Sequence, residues 1–312
     1  MTETIAIIDL GTNTFNMLIV EHNFHSFKLL HQQKIAVKLG EGGMNENIIR
    51  PPSYQRAIDG IGEHCLVAKK LHCKHVYAFA TSAMRSSENG QQLANEIAEK
   101  HQVHIQIIDG DKEAELIYLG VKQAFKKIAN VSLIMDIGGG STEFILCDNK
   151  KVLWKKSYDL GAARLLEWLI PADPIAAFEQ NKLFARFDDE LMDLFDALNV
   201  HQPKTLIGSS GSFDSLHEMI MHQKGTPDLA YQKNHVKLPK AAYIPLAKKI
   251  IASTTEQRLN MPGLVSMRVD MIVIATLFIE YIRLKTNIKN IYQCQYALKE
   301  GVLFEKMFGE KK

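Results

Sequence analysis

Two aspartates, Asp9 and Asp136, each end an apolar run and open a turn of small and hydroxylated residues. The first turn reads Gly11-Thr12-Asn13-Thr14; the second reads Gly138-Gly139-Gly140-Ser141 and runs on into Thr142 and Glu143. A tight turn of this kind exposes backbone N–H groups, and glycine lets a phosphate come close to the main chain. The hydroxyls of Thr12, Thr14, Ser141 and Thr142 add donors. A carboxylate at a strand end, Asp9 or Asp136, can hold a hydrated Mg²⁺, which takes one or two carboxylates and completes its shell with water and phosphate oxygens. Glu143 stands across the same hairpin from Asp136, within reach of the same ion. Taken singly, Asp-Leu-Gly is explained as well by an aspartate that stabilises its own turn. A pair of such hairpins makes a phosphate clamp. Neither G-x-x-x-x-G-K-[ST] nor G-x-G-x-x-G leading into a helix occurs, so the commoner phosphate loops are excluded.

The elements that must position these turns follow from periodicity. Residues 4–10 and 15–20 read as strands joined by the first turn, and 25–39 as a third strand region. Ser53 is placed to cap a helix with apolar positions at Ala57, Ile58, Ile61, Leu66 and Val67. Then come a strand (75–80), a helix (87–100), a strand (103–108) and a helix from about Asp111. The series restarts near Val131: strand, glycine turn, strand, and a third strand at 151–158. A helix-rich stretch (160–198), a strand (205–208), further helices, a strand (288–294) and a terminal helix (296–307) complete it. Residues 7–14 align without gaps on 134–141, so a duplicated α/β domain is expected, with its two turns facing one cleft. The expected domains are 1–125, with the terminal helix 298–312 packing back on it, and 126–297.

Composition sets the outer limits. The chain has 312 residues, enough for two domains, and its 46% hydrophobic and 23% charged content is that of a globular protein. A net charge of +2 gives no field that implies a nucleic-acid polymer or a membrane surface. The apolar run 271–279 is too short to span a bilayer. No basic leader precedes an apolar stretch at the start, and the four cysteines are scattered, so a cytoplasmic location is expected. His72, Cys73 and His75 stand close together, but they lack the second ligand pair of a closed zinc site.

In order along the chain stand Asp9-Leu-Gly-Thr-Asn-Thr-Phe, Val37-Lys-Leu-Gly-Glu-Gly, Ala80-Thr-Ser-Ala-Met-Arg85, Ile108-Asp-Gly-Asp-Lys-Glu113-Ala-Glu and Asp136-Ile-Gly-Gly-Gly-Ser-Thr-Glu143. Leu160-Gly-Ala-Ala-Arg164-Leu, Gly208-Ser-Ser-Gly-Ser and Leu259-Asn-Met-Pro-Gly-Leu follow. This series closely resembles the exopolyphosphatase / guanosine pentaphosphate phosphohydrolase (Ppx/GppA) family over nearly the whole chain, in its short two-domain form. The resemblance implies duplicated ribonuclease H-like domains of the actin, sugar-kinase and heat-shock chaperone superfold. It implies hydrolysis of polyphosphate or a phosphorylated guanosine nucleotide with Mg²⁺ or Mn²⁺, and the possibility of a homodimer. It assigns Glu113 as the base that activates water, Arg85 as a catalytic phosphate ligand, and Asp136 and Glu143, with Asp9, as metal-associated carboxylates. Gly208, Ser209, Ser210 and Gly211 join the two hairpins as substrate contacts.

By position alone, Glu113 is better read as an acidic residue in the first turn of a helix, where the dipole favours its charged form. Arg85 by position alone is a phosphate ligand or a surface arginine. Lys122, Lys126 and Lys127 would share a helix face, better explained as a solvated flank than as a polyphosphate path. The chain departs from the family at Ser210-Gly211-Ser212, at Gln293-Cys294-Gln295-Tyr296-Ala297 and at Asn16, which bears on substrate choice. Two other functions remain open: an alarmone- or nucleotide-binding regulator without turnover, and a small-molecule kinase of the same superfold.

Overall fold

The computed structural model describes residues 2–23, 25–125, 127–128, 130–230 and 232–308. The chain divides into two compact units, Met1–Gly120 with Leu298–Lys312, and Val121–Ala297.

In the first unit, β1 (Glu3–Leu10), β2 (Thr14–His22) and β3 (Phe27–Ala36) form an antiparallel meander. β4 (His75–Ala80) adds in parallel beside β1, and β5 (Ile105–Ile107) in parallel beside β4, giving the order β3-β2-β1-β4-β5. Helices α1 (Pro51–Lys70), α2 (Ser82–Ser86), α3 (Gly90–His101) and α4 (Gly110–Ala124) connect them. Ile8, Leu10, Phe15 and Met17 pack with Ala57, Ile58 and Ile61 of α1 and Leu93 and Ile97 of α3. Burial of each such large apolar side chain stabilises the unit by about 1.5–3 kcal/mol before the ordering cost is counted. The last helix, α12 (Leu298–Phe308), belongs to this unit, and its Phe304 meets Phe27 of β3 edge to face at 5.8 Å.

The second unit builds the same topology. β6 (Ser132–Ile137), β7 (Thr142–Cys147) and β8 (Val152–Tyr158) form the meander. Then come α5 (Ala162–Leu169), α6 (Ala177–Glu190), α7 (Met192–His201), β9 (Thr205–Ser209) and α8 (Ser210–Gln223). β10 (His235–Leu238), α9 (Lys240–Ile251), α10 (Thr255–Leu259), α11 (Ile272–Lys285) and β11 (Asn290–Cys294) complete it. The sheet order is β10-β11-β9-β6-β7-β8. With β10 set aside, β8-β7-β6-β9-β11 reproduces β3-β2-β1-β4-β5 strand for strand. Strands β6 and β7 are buried along their whole length, as expected where helices cover both faces of a sheet.

Several local expectations are corrected. Ser53 is not the cap of α1: the helix starts at Pro51, whose fixed φ and missing N–H suit a first turn, and the Ser53 hydroxyl donates to Lys38 O at 3.0 Å. Arg85 sits in the short helix α2 rather than a loop. Helix α4 ends at Ala124; there Phe125 stacks on His235 at 3.9 Å and His235 Nδ1 meets Ala124 O at 2.9 Å. Lys127 is therefore off the helix, and Lys126 lies outside the described residues. Strand β10, only four residues long, carries too short a period to be read from sequence.

Candidate phosphate-binding hairpins and the carboxylates beside them

In the first unit the parallel strands β1, β4 and β5 end side by side, the edge at which open α/β sheets bind ligands. The β1–β2 turn closes with Gly11 N donating to Thr14 O at 3.1 Å. Asp9 pairs in register with Asn16, whose Nδ2 donates weakly to Asp9 Oδ2 at 3.4 Å and to Thr14 Oγ1 at 3.3 Å. Two of the turn's carbonyls are held by the loop after β3. Val37 N and Lys38 N donate to Asn13 O at 3.0 and 2.9 Å, and Gly40 N donates to Thr12 O at 3.2 Å.

α2 leaves the end of β4 and α4 leaves the end of β5, so Arg85 and Glu113 are brought to the same edge. Arg85 Nη1 lies 2.8 Å from Glu113 Oε2 and donates to Ile108 O at 3.1 Å. Glu113 is only 7% exposed. Asp109 fixes the start of α4, its Oδ1 accepting from Lys112 N at 2.7 Å. The two residues assigned catalytic roles from the resemblance thus form one ion pair between a buried glutamate and a half-buried arginine.

In the second unit β6, β9 and β11 likewise run in parallel and end together. The β6–β7 turn closes with Gly138 N donating to Ser141 O at 3.0 Å, and Asp136 pairs in register with Glu143. Both carboxylates are buried and held by hydroxyls. Ser209 Oγ donates to Asp136 Oδ2 at 2.7 Å, while Ser141 Oγ and Ser157 Oγ each donate to Glu143 Oε1 at 2.7 Å. The Thr142 hydroxyl does not face the turn: it donates to Leu160 O at 2.8 Å. Two paired carboxylates held by serine hydroxyls suit a hydrated Mg²⁺ or Mn²⁺, which needs few protein ligands. Among the described residues no cluster of three or more His, Cys, Asp or Glu side chains is set to hold a metal ion.

After β9, Ser210 takes a positive φ of 67° as α8 begins, an uncommon conformation for a residue other than glycine. Gly211 follows, and a Cβ there would come within 1.8 Å of Arg268 Nη2, so the guanidinium lies directly against the main chain. Arg268 was not singled out by sequence reasoning. Burial pulls its pKa below the ordinary guanidinium range, while the carboxylates of Asp214, Asp136 and Glu218 oppose that shift. It is thus a cation facing one of the proposed metal carboxylates. Its sequence signal is an arginine within Val265-Ser-Met-Arg268-Val, just past the Pro-Gly-Leu block. Gln293, at the departure from the family pattern, is buried and donates to Asp214 Oδ1 at 2.9 Å.

Known proteins resemble this chain over nearly its whole length. A model of the Ppx/GppA phosphatase family matches residues 18–310. Exopolyphosphatase 1 of Mycobacterium tuberculosis is 26% identical over 308 residues, covering 98% of this chain and 89% of that protein. Exopolyphosphatase 1 of Mycobacterium leprae is 26% identical over 309 residues, with 98% and 90% covered. The crystal structure of an exopolyphosphatase from Cytophaga hutchinsonii superposes with a TM-score of 0.95 at 36% identity, covering 98% of both chains. An Aquifex aeolicus structure, 18% identical with a TM-score of 0.81 over both whole chains, shares the fold. The fold is the duplicated α/β architecture of the actin-like, ribonuclease H-like superfold. The chain belongs to the Ppx/GppA phosphatase family. Among the described residues no helix is long and apolar enough to cross a membrane.

Proposed function

We propose that the protein is a metal-dependent exopolyphosphatase, releasing terminal phosphate from inorganic polyphosphate by attack of water on the end phosphoanhydride. The observation that carries this reading is the pairing of buried Glu113 with half-buried Arg85 at the edge where the parallel strands of its sheet end. A protein that only bound an anion would gain nothing from a carboxylate there. Glu113 takes the proton of the attacking water, and Arg85, a planar donor fork, holds phosphate oxygens and offsets the charge that builds up in the transition state. In each unit the turn amides other than those of Gly11 and Gly138, which close the turns, would hold phosphoryl oxygens. Asp136 and Glu143 would hold Mg²⁺ or Mn²⁺, which would supply neutralisation of phosphate charge. The names of the mycobacterial and Cytophaga relatives support polyphosphate as substrate. Four free cysteines fit a reducing, cytoplasmic compartment.

The test is phosphate release with Mg²⁺ from short and long polyphosphates, guanosine pentaphosphate and ATP in parallel. Release from polyphosphate is expected. Binding of these compounds without release would leave a regulator, and transfer to an alcohol or carboxylate acceptor in place of water would make it a kinase.

A further inference from the structure

The turn at residues 138–140 is three glycines long, the most conformationally free sequence available, yet a phosphate cradle works only if its donors are already aimed. The structure supplies the constraint from behind. Ala162 N donates to Gly138 O at 2.9 Å; Ala163 N and Arg164 N donate to Gly139 O at 2.9 and 3.0 Å; Gly161 N donates to Gly140 O at 3.2 Å. A side chain adds the last bond, with Arg164 Nε donating to the same Gly140 O at 3.0 Å. All three carbonyls are therefore fixed by the first turn of α5 and one guanidinium.

Each peptide unit is planar and trans, so its C=O and N–H point in opposite directions. Fixing the carbonyls of Gly138, Gly139 and Gly140 aims the amides of Gly139, Gly140 and Ser141 the other way. None of those three amides donates to a backbone carbonyl among the described residues. Arg164 is only 6% exposed, and its Nη2 reaches Asp159 at 3.5 Å. The approach leaves no spare room: a Cβ on Gly161 would stand 2.4 Å from the backbone of Gly139 and of Gly140.

We propose that Arg164, with Gly161, is a positioning residue of the reaction: it holds the carbonyl side of the glycine turn so that the opposite amides are set to receive a phosphoryl group. This rests on the reading that the turn binds phosphate. Arg164 itself touches no substrate in this scheme; it acts through Gly140.

The test uses Arg164→Lys, which keeps the charge but not the Nε fork, and Gly161→Ala, which keeps every polar partner but pushes on the turn. Each is assayed with the unmodified full-length protein at a temperature where circular dichroism shows all three folded. Both variants are expected to raise the KM for polyphosphate and the inhibition constant for inorganic phosphate, lowering kcat/KM by about 10- to 100-fold, the usual worth of a supporting partner. The Mg²⁺ concentration for half-maximal activity should stay unchanged. A merely structural Arg164 would lower Tm and leave KM and phosphate inhibition intact per folded molecule; that result in both variants overturns the proposal. If the unmodified protein releases no phosphate from polyphosphate, the exopolyphosphatase reading fails. The positioning proposal is then read by calorimetric binding of inorganic phosphate to the three proteins, and equal binding, or none to the unmodified protein, overturns it.

Discussion

At the end of β1, Asp9 stands across from Asn16; at the matching end of β6, Asp136 stands across from Glu143. The two turns close with the same hydrogen bond, Gly11 N to Thr14 O at 3.1 Å and Gly138 N to Ser141 O at 3.0 Å. In both units the turn's carbonyls are tied from behind, by the loop at Val37, Lys38 and Gly40 in the first and by α5 with Arg164 in the second. What differs is charge. The first hairpin carries one carboxylate and an amide, the second two carboxylates seated on Ser141, Ser157 and Ser209. The first unit instead carries its acid and cation on neighbouring helices, as Glu113 and Arg85. At the two hairpins, a duplicated backbone turn thus carries different side chains. The second unit carries the buried carboxylate pair, and the first carries the glutamate–arginine pair.

The strongest way to break this division is to remove the metal's charge partners. Chelation with EDTA, or the double change Asp136→Asn with Glu143→Gln, is expected to reduce phosphate release to background, whereas Asp9→Asn should retain measurable turnover. Equal loss from Asp9→Asn would mean that the hairpins share the metal role. Next in size is Glu113→Gln, which keeps shape and hydrogen bonding but cannot accept a proton from water. Release should fall about 10²–10⁴-fold, the usual worth of a positioned base, with polyphosphate affinity preserved. Near-normal turnover would place water activation elsewhere, and Arg85→Ala, measured alongside, should weaken binding as well as rate.

Smaller effects sharpen the comparison. Ser157→Ala removes one of two hydroxyls on Glu143 Oε1 and should weaken apparent Mg²⁺ affinity by about 10- to 100-fold, with activity recovering as Mg²⁺ is raised. A loss that excess Mg²⁺ leaves unrepaired would separate Glu143 from the metal. The smallest expected change is Asn16→Asp, which puts like charges across β1 and β2. It should destabilise the protein by about 0.2–1 kcal/mol in thermal unfolding and leave the Mg²⁺ requirement where it was. A shifted Mg²⁺ requirement would show that the first hairpin can be given the second one's role.

Much of this organisation was legible in the chain before any coordinates. The repeat of residues 7–14 at 134–141 marked both hairpins, since a turn between two strands is local and its residue types are dictated by the backbone it must adopt. The same locality let β1, β2, β4, β6, β7 and β9 be read within a few residues. Where local signals competed, they misled. The Ser53 cap lost to Pro51, and α4 was read too long; the stacking of Phe125 on His235 beside its end joins residues more than a hundred positions apart.

By itself the sequence determined the two hairpins, their carboxylates and the order of elements that presents them. Only the tertiary structure decided what those groups meet. Arg85 and Glu113 are 28 residues apart and join because parallel strands β4 and β5 end side by side; Ser209 reaches Asp136 across 73 residues through the β6–β9 register. Arg268 against Gly211 and the Thr142 hydroxyl turned to Leu160 are likewise products of packing. The physical reason is that periodicity and turn chemistry report on neighbours along the chain, whereas a site is built where distant strands end together, and pairing of distant strands leaves no local mark.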